Sequence, residues 1–317
     1  MGTSSKLKGK RVLVTGANGF IGAHLSRRLC LEGAEVHAVY RTQRPTDAEG
    51  QRLWQADLAS VDAVREIMGK AEPEVVFHLA SHVKGAPGLE HVLPTFQSNL
   101  QSTVNLLTVA AETTRPRVVL TGSLAEPEVT KGEMFPVAPY AAAKWASTGY
   151  ARMFHALYGL PTVSARVFMV YGPAQIDLTK LVPYVILSLL QGKAPKITGG
   201  HRLLDWIYVS DVVNGFLALA DDPKVLGDSV ELGSGTLITI RDIVERVARE
   251  VGNGIHPEFG ALPDRPMEPT RVAKTDESFA KIGWKPEVSL AEGIKKTVEW
   301  YRKEFERTPQ AYQLVNA

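Results

Sequence analysis

The sequence predicts an α/β protein, a doubly wound parallel sheet with a smaller, discontinuous α+β lobe. Three observations predict it. Short β-rich runs alternate with helical patterns through the first half of the chain, the pattern of a parallel sheet with helices on both faces. A glycine-rich turn follows the first of these runs and opens the first helix. After Gly172 the alternation stops, so the remaining residues build something else.

Residues 11–15 read RVLVT, a buried strand. Residues 20–31 set Ile21, Leu25 and Leu29 at helical spacing, and Gly33 stands where a helix end favours glycine. Strands are expected at 36–40 and 53–56, and Ser60 reads as the N-cap of a helix over 61–68. VVFHLA at 75–80 is a fourth strand, bounded by Pro73. A helix over 96–112 leads to strand 117–121, and a helix over 140–158 leads to strand 162–170. Beyond Gly172, residues 178–191 form a helix interrupted early by Pro183, and 206–209 form a short strand. Asp211 is expected to cap a helix over 212–220, with the 206–220 unit returning to the sheet. Helices over 240–251 and 290–305 flank a proline-rich loop, 262–269. The chain thus divides into a sheet domain, 8–172 with 203–230, and a lobe, 173–202 with 231–309.

The 317 residues are 44% hydrophobic and 22% charged, an ordinary globular balance. A formal charge of +2 argues against a nucleic-acid or membrane surface. Cys30 is the only cysteine, so no intramolecular disulfide can form and a reducing, cytoplasmic compartment is expected. Residues 1–10 are polar and lack a signal core, and no run approaches the ~18 apolar residues of a membrane span.

The turn reads Thr15-Gly16-Ala17-Asn18-Gly19-Phe20-Ile21-Gly22, a G-x-x-G-x-x-G spacing between first strand and first helix. This is a Rossmann-type arrangement: Gly16 permits the tight turn, Gly19 lets backbone approach a pyrophosphate, and Gly22 lets helix pack on strand. The helix N-terminus offers unpaired N–H groups to the phosphates. The second strand runs into Arg41 and Arg44 with no acid before Asp47, a pattern suited to a 2′-phosphate, so NADP(H) is favoured and NAD is the alternative. Asp57, followed by Leu58, is placed either to accept from the adenine amino group or to serve as a plain turn residue.

Tyr140 and Lys144 lie four apart at the start of a helix, on one face. A phenol titrates near pH 10, and a neighbouring ammonium lowers that value. Ser123 ends the strand before, at the carboxyl edge where open α/β sheets place ligands. Its hydroxyl can hold an oxygen that gains charge in a transition state. The three together form a carbonyl-processing site. His24 reads as structural, and His78 and His82 lack the cysteine or acid partners of a metal site.

At this point the chain resembles the extended short-chain dehydrogenases/reductases, close to the nucleotide-sugar epimerases, dehydratases and ketoreductases. The likeness spans residues 11–305. It rests on TGANGFIG, HLAS at 78–81, Asn99, the Ser–Tyr–Lys set, RVFMVYGP at 166–173, DWIYVSDV at 205–212 and IGWKP at 282–286. It implies Ser123, Tyr140 and Lys144 as catalytic residues. It also implies that Leu79, Ala80, Ser81 and Asn99 line the cofactor channel, with Lys84 beside it. Family members commonly pair through the helices expected here at 96–112 and 140–158, so a homodimer is implied.

Within that family the 4,6-dehydratases carry an Asp–Glu pair just after the catalytic hydroxyl, where this chain has Leu124 and Ala125; Glu126 and Glu128 are displaced. UDP-galactose 4-epimerases usually have Asn where Met169 stands, and Arg where Leu204 stands with Arg202 nearby. Arg265 matches the arginine that grips the sugar-nucleotide diphosphate, and the family places Lys180 near the nucleotide. These features favour an NADPH-dependent 4-ketoreductase of an NDP-4-keto-6-deoxyhexose. The alternative is an NAD-dependent NDP-sugar 4-epimerase, and a remote one is a non-enzymatic NADP sensor.

Overall fold

The computed structural model describes residues 6–42, 48–127, 135–264 and 270–312. The chain forms two compact units. One comprises Met1–Val167, Val213–Leu232 and Asp276–Trp284; the other comprises Phe168–Val212, Gly233–Thr275 and Lys285–Ala317.

The first unit is built on a seven-stranded sheet. Its strands lie in the order Ser229–Leu232, Thr162–Val167, Arg117–Ser123, Val75–His78, Arg11–Thr15, Glu35–Tyr40 and Gln51–Gln55, all parallel. The order reverses between the first and fourth strands in sequence, the point at which doubly wound sheets bind ligands. Period-2 alternation sorts the strand side chains onto two faces. Leu13, Val76 and Val118 pack with Ile67, Leu106, Leu107 and Phe154 from helices Val61–Ala71, Ser102–Glu112 and Pro139–Tyr158. Phe77, the neighbour of Val76, meets Phe216 of helix Val209–Asp221 instead, ring centroids 6.3 Å apart.

Several elements differ from expectation, each for a visible reason. Strand 75–80 stops at His78, because the Leu79 and Ala80 amides both turn to the Thr15 hydroxyl at 3.1 Å. The helix expected at 96–112 begins at Val92 and passes through a π-helical stretch, Phe96–Gln101. There the Asn99 carbonyl accepts the hydroxyl of Thr103 at 2.6 Å. Strand 162–170 breaks at Phe168. Its ladder partner ends where Ser123 faces Val167, and Met169–Tyr171 pairs with Leu203–Tyr208 instead. The 206–220 segment therefore does not return a strand to the large sheet; Ser229–Leu232 does. Asp211 is not a cap. The helix begins at Val209, and the buried Asp211 carboxylate accepts the Val288 amide at 3.0 Å.

The second unit holds the three-stranded sheet Leu237–Thr239, Leu203–Tyr208, Met169–Tyr171 and the short pair Lys196–Ile197 with Glu258–Phe259. Helices Leu181–Leu190, Ile240–Val251 and Leu290–Arg307 pack around Ile186, Ile243, Val247, Val298 and Tyr301. Pro183 interrupts nothing: it lies in the first turn after Lys180, where its missing N–H would have no helical partner anyway. Trp206 belongs to this core. The buried Asp205 carboxylate organises the adjoining loops, accepting from Ser234 N at 2.6 Å, Ser234 Oγ at 2.7 Å, Gly235 N at 3.0 Å and Ala273 N at 2.9 Å.

Candidate active site

The glycine turn sits at the end of strand Arg11–Thr15, which lies inside the sheet between Val75–His78 and Glu35–Tyr40. Gly16 adopts φ +66°, and a Cβ there would come within 2.8 Å of the Ala80 amide nitrogen. At Gly22 a Cβ would stand 2.1 Å from the Gly16 carbonyl, so the helix packs on the turn only as glycine. Gly19 precedes helix Phe20–Leu31 without a side-chain cap, and no acid occupies the first turn. The residues fit a bound pyrophosphate: backbone stands close, the helix terminus is uncapped, and the first turn is free of negative side-chain charge.

A polar chain underlies this turn. Thr15 Oγ1 accepts from the Leu79 and Ala80 amides, which fills both lone pairs, so its own proton goes to His78 Nδ1 at 2.8 Å. His78 Nε2 therefore carries the ring proton and donates to Thr103 Oγ1 at 3.0 Å, which donates in turn to the Asn99 carbonyl. Burial and the Lys144 charge push His78 down to about 3, so the ring is neutral and its tautomer fixed. Asn99 is buried and clamps the His82 backbone, accepting its amide at 2.6 Å and donating to its carbonyl at 3.2 Å. Ser81 Oγ is buried with no hydrogen-bond partner.

Around the adenosine end, Asp57 is exposed and its carboxylate accepts the Ala59 amide at 3.0 Å, a turn contact. Leu58 is buried in the core. Arg41 is exposed and donates to Ser98 Oγ at 3.0 Å. Lys84 is exposed beyond the fourth strand. Arg44 and Arg265 lie outside the described residues, as does Glu128. In the second unit, Met169 is half-buried, Arg202 accepts the Ile240 amide on its carbonyl at 2.9 Å, and Lys180 pairs with Asp177 at 3.9 Å.

Ser123, Tyr140 and Lys144 come together in the first unit. Pro139 at the first helical position starts the helix that carries the latter two. Lys144 is buried, donates to the Thr121 carbonyl at 2.8 Å and stands 5.9 Å from the Tyr140 ring centroid. The surroundings of the Tyr140 hydroxyl push its pKa up to about 12; a hydrogen bond with Ser123 opposes this and the Glu126 charge adds to it. This reverses the expected lowering by Lys144. The ammonium is itself desolvated, brought down to about 8 by burial, and its Nζ is turned to a carbonyl. Glu126 is almost fully buried and its carboxylate accepts the Ser123 amide at 2.7 Å, an inward role that its displaced position in sequence did not reveal. Thr148, two turns beyond Tyr140 on the same face, bonds the other Glu126 oxygen at 3.0 Å. The i, i+4, i+8 spacing was the available signal for Thr148. Among the described residues no cluster of His, Cys, Asp and Glu could hold a metal ion.

Residues 12–233 match the family described as the NAD dependent epimerase/dehydratase family. The chain belongs to this family. Its relatives include the UDP-glucose 4-epimerase of Mycolicibacterium smegmatis, 33% identical in an alignment that covers 92% of this chain and 98% of the relative. Among solved structures, a UDP-glucose 4-epimerase of Thermotoga maritima with UDP-glucose superposes with TM-score 0.85 at 25% identity, covering 93% of this chain and 99% of that one. A UDP-glucose 4-epimerase of Thermus thermophilus in complex with NAD gives 0.82 at 28% identity, covering 92% and 99%. As a member of the epimerase/dehydratase family, the protein is an NAD(P)-dependent enzyme of the extended short-chain dehydrogenase/reductase type, with a Rossmann sheet and nucleotide-sugar enzymes as its relatives. No helix among the described residues is long and apolar enough to cross a membrane.

Proposed function

We propose that the protein is an NAD-dependent 4-epimerase of a nucleoside-diphosphate hexose. One observation carries the reading. The Ser123–Tyr140–Lys144 group is assembled, while the acid pair that elimination of water needs is replaced by Leu124 and Ala125, and the nearest acid, Glu126, is bonded inward to Ser123. Proton and hydride exchange at a carbinol carbon remains as the chemistry these groups support. The epimerase relatives favour this over the reductase expected from Arg41 and Arg44.

The dinucleotide would be held by the Gly16–Gly19–Gly22 turn, Asn18, Phe20 and Ile21, by Leu79, Ala80, Ser81 and Asn99, and by Asp57 and Leu58 at the adenosine. When bound, oxidised NAD would supply the hydride acceptor and a further positive charge near the phenol. Tyr140 takes the proton of the sugar 4-hydroxyl and returns it after the 4-keto sugar has turned its other face. Ser123 donates to the same oxygen as it becomes a carbonyl. Lys144 holds positive charge beside the phenol. That charge matters because a Tyr140 pushed up to about 12 is too weakly acidic to serve as a base near neutral pH. Met169 and Leu204 depart from the UDP-galactose pattern, so the hexose is a separate question. Lys84, Met169, Lys180, Arg202 and Arg265 are the residues proposed to meet the sugar nucleotide.

Arg41 favours a second reading, an NADPH-dependent 4-ketoreductase, because its guanidinium at the end of the second strand suits a 2′-phosphate. One experiment separates the two. Mass spectrometry of the purified protein should find bound NAD, and proton NMR should show interconversion of UDP-hexoses without added cofactor. Loosely held NADP, with NADPH consumed on an NDP-4-keto sugar, would replace the epimerase reading by the reductase.

The chain is further proposed to pair with a second copy. Leu93 and Phe96 on the helix before strand 117–123, and Trp145 and Leu157 on the helix after it, are exposed apolar groups, and these are the helices through which the family resemblance implies dimers.

A further inference from the structure

We propose that Glu126 is a positioning residue for this site, fixing Ser123 to the helix of Tyr140 and Lys144 and holding a negative charge beside that pair. The inference rests on the proposed roles of those three residues. Glu126 lies three residues beyond Ser123 and is 1% exposed. One carboxylate oxygen accepts the Ser123 amide at 2.7 Å, and the other accepts the Thr148 hydroxyl at 3.0 Å. Thr148 shares a face with Tyr140 and Lys144, so the carboxylate spans from the strand end to the catalytic face of the helix. Gly122 makes room for it: a Cβ there would stand 2.5 Å from Glu126 Oε1.

A buried carboxylate stays ionised only when enough donors and cations face it. Burial raises the Glu126 pKa, and four neighbours oppose that: the Ser123 amide, the Arg166 guanidinium, the Thr148 hydroxyl and the Lys144 ammonium. Arg166, from strand Thr162–Val167, lies 3.8 Å from Glu126 and 3.2 Å from Glu231 of strand Ser229–Leu232. Tyr140 faces the same charge from the helix, and neutral His78 lies on the side of Lys144 toward strand Val75–His78. The anion favours the ammonium of Lys144 and disfavours the phenolate of Tyr140. The residue thus favours the proton on both groups, adding to desolvation at the phenol and opposing it at the ammonium.

Replacing Glu126 by Gln keeps the shape and removes the charge. The readout is the ultraviolet phenolate spectrum of Tyr140 in NAD-saturated protein, isolated by subtracting Tyr140→Phe in the same background. Glu126→Gln should lower the Tyr140 midpoint by roughly half a pH unit or more. Thr148→Val, which cuts the span and keeps the charge, should leave that midpoint in place and lower kcat about tenfold with little change in KM. An unchanged midpoint in Glu126→Gln overturns the charge role. Parental kcat in Thr148→Val overturns the span, and an equal midpoint shift in both variants shows a structural role alone. Should Glu126→Gln fail to fold, Glu126→Asp takes its place: it keeps the charge but shortens the reach, and must retain the midpoint while losing turnover. The spectral titration needs no sugar, so a wrong choice of substrate class leaves it readable.

Discussion

Tyr140 and Lys144 show how one environment moves two groups in opposite senses. Loss of hydration disfavours each charged form, raising the phenol of half-buried Tyr140 to about 12 and lowering the buried Lys144 ammonium to about 8. Tyr140→Phe should therefore cut kcat by about 10²–10⁴-fold while mass spectrometry still finds NAD in the purified variant, since only the proton relay is lost. Full turnover in this variant would remove Tyr140 from the chemistry. His78 supplies a stability prediction. Its pKa falls to about 3 in the folded protein, below its unfolded value of 6.5. Between those values the unfolded chain binds a proton that the native one refuses, so stability declines as pH falls through the window, by up to about 1.4 kcal/mol per unit from this group. Urea unfolding at pH 7 and pH 5 measures it. His78→Gln should flatten the acid side, and an unaltered slope there would refute the assignment. Gly22→Ala should destabilise the fold by about 1–3 kcal/mol, because its methyl meets the Gly16 carbonyl.

Elements locate these residues through their ends. Helix Pro139–Tyr158 starts on proline and ends on Gly159 in the left-handed region, so both limits are written locally. The π-helical stretch Phe96–Gln101 has no such local mark. It is held by Asn99 clamped on His82 and by the Ser147 hydroxyl on the Asn99 carbonyl, contacts to residues distant in the chain. Periodicity alone therefore merged it into one straight helix. Strand Leu203–Tyr208 depends in the same way on Asp205. Asp205→Ala would strand the amides of Ser234, Gly235 and Ala273, a loss of about 3 kcal/mol or more. A thermal midpoint matching the parent would show that water or rearrangement replaces those bonds.

At the scale of the molecule, pairing of copies is the property to test. Phe96→Glu combined with Trp145→Glu should convert a dimer to a monomer by light scattering, and a parent already monomeric at micromolar concentration would refute the pairing. The sequence by itself determined the sheet, the glycine turn and the Ser–Tyr–Lys set, because each is encoded by contiguous residues whose period, turn chemistry or spacing is local. It showed Glu126 only as an acid displaced from the dehydratase pair, and it did not single out Thr148. Only the tertiary structure decided that Ser229–Leu232 completes the large sheet, that Glu126 turns inward to Ser123, and that desolvation raises the Tyr140 phenol. Strand partners, buried carboxylates and local dielectric arise from residues far apart in the chain, and one-dimensional spacing does not carry them.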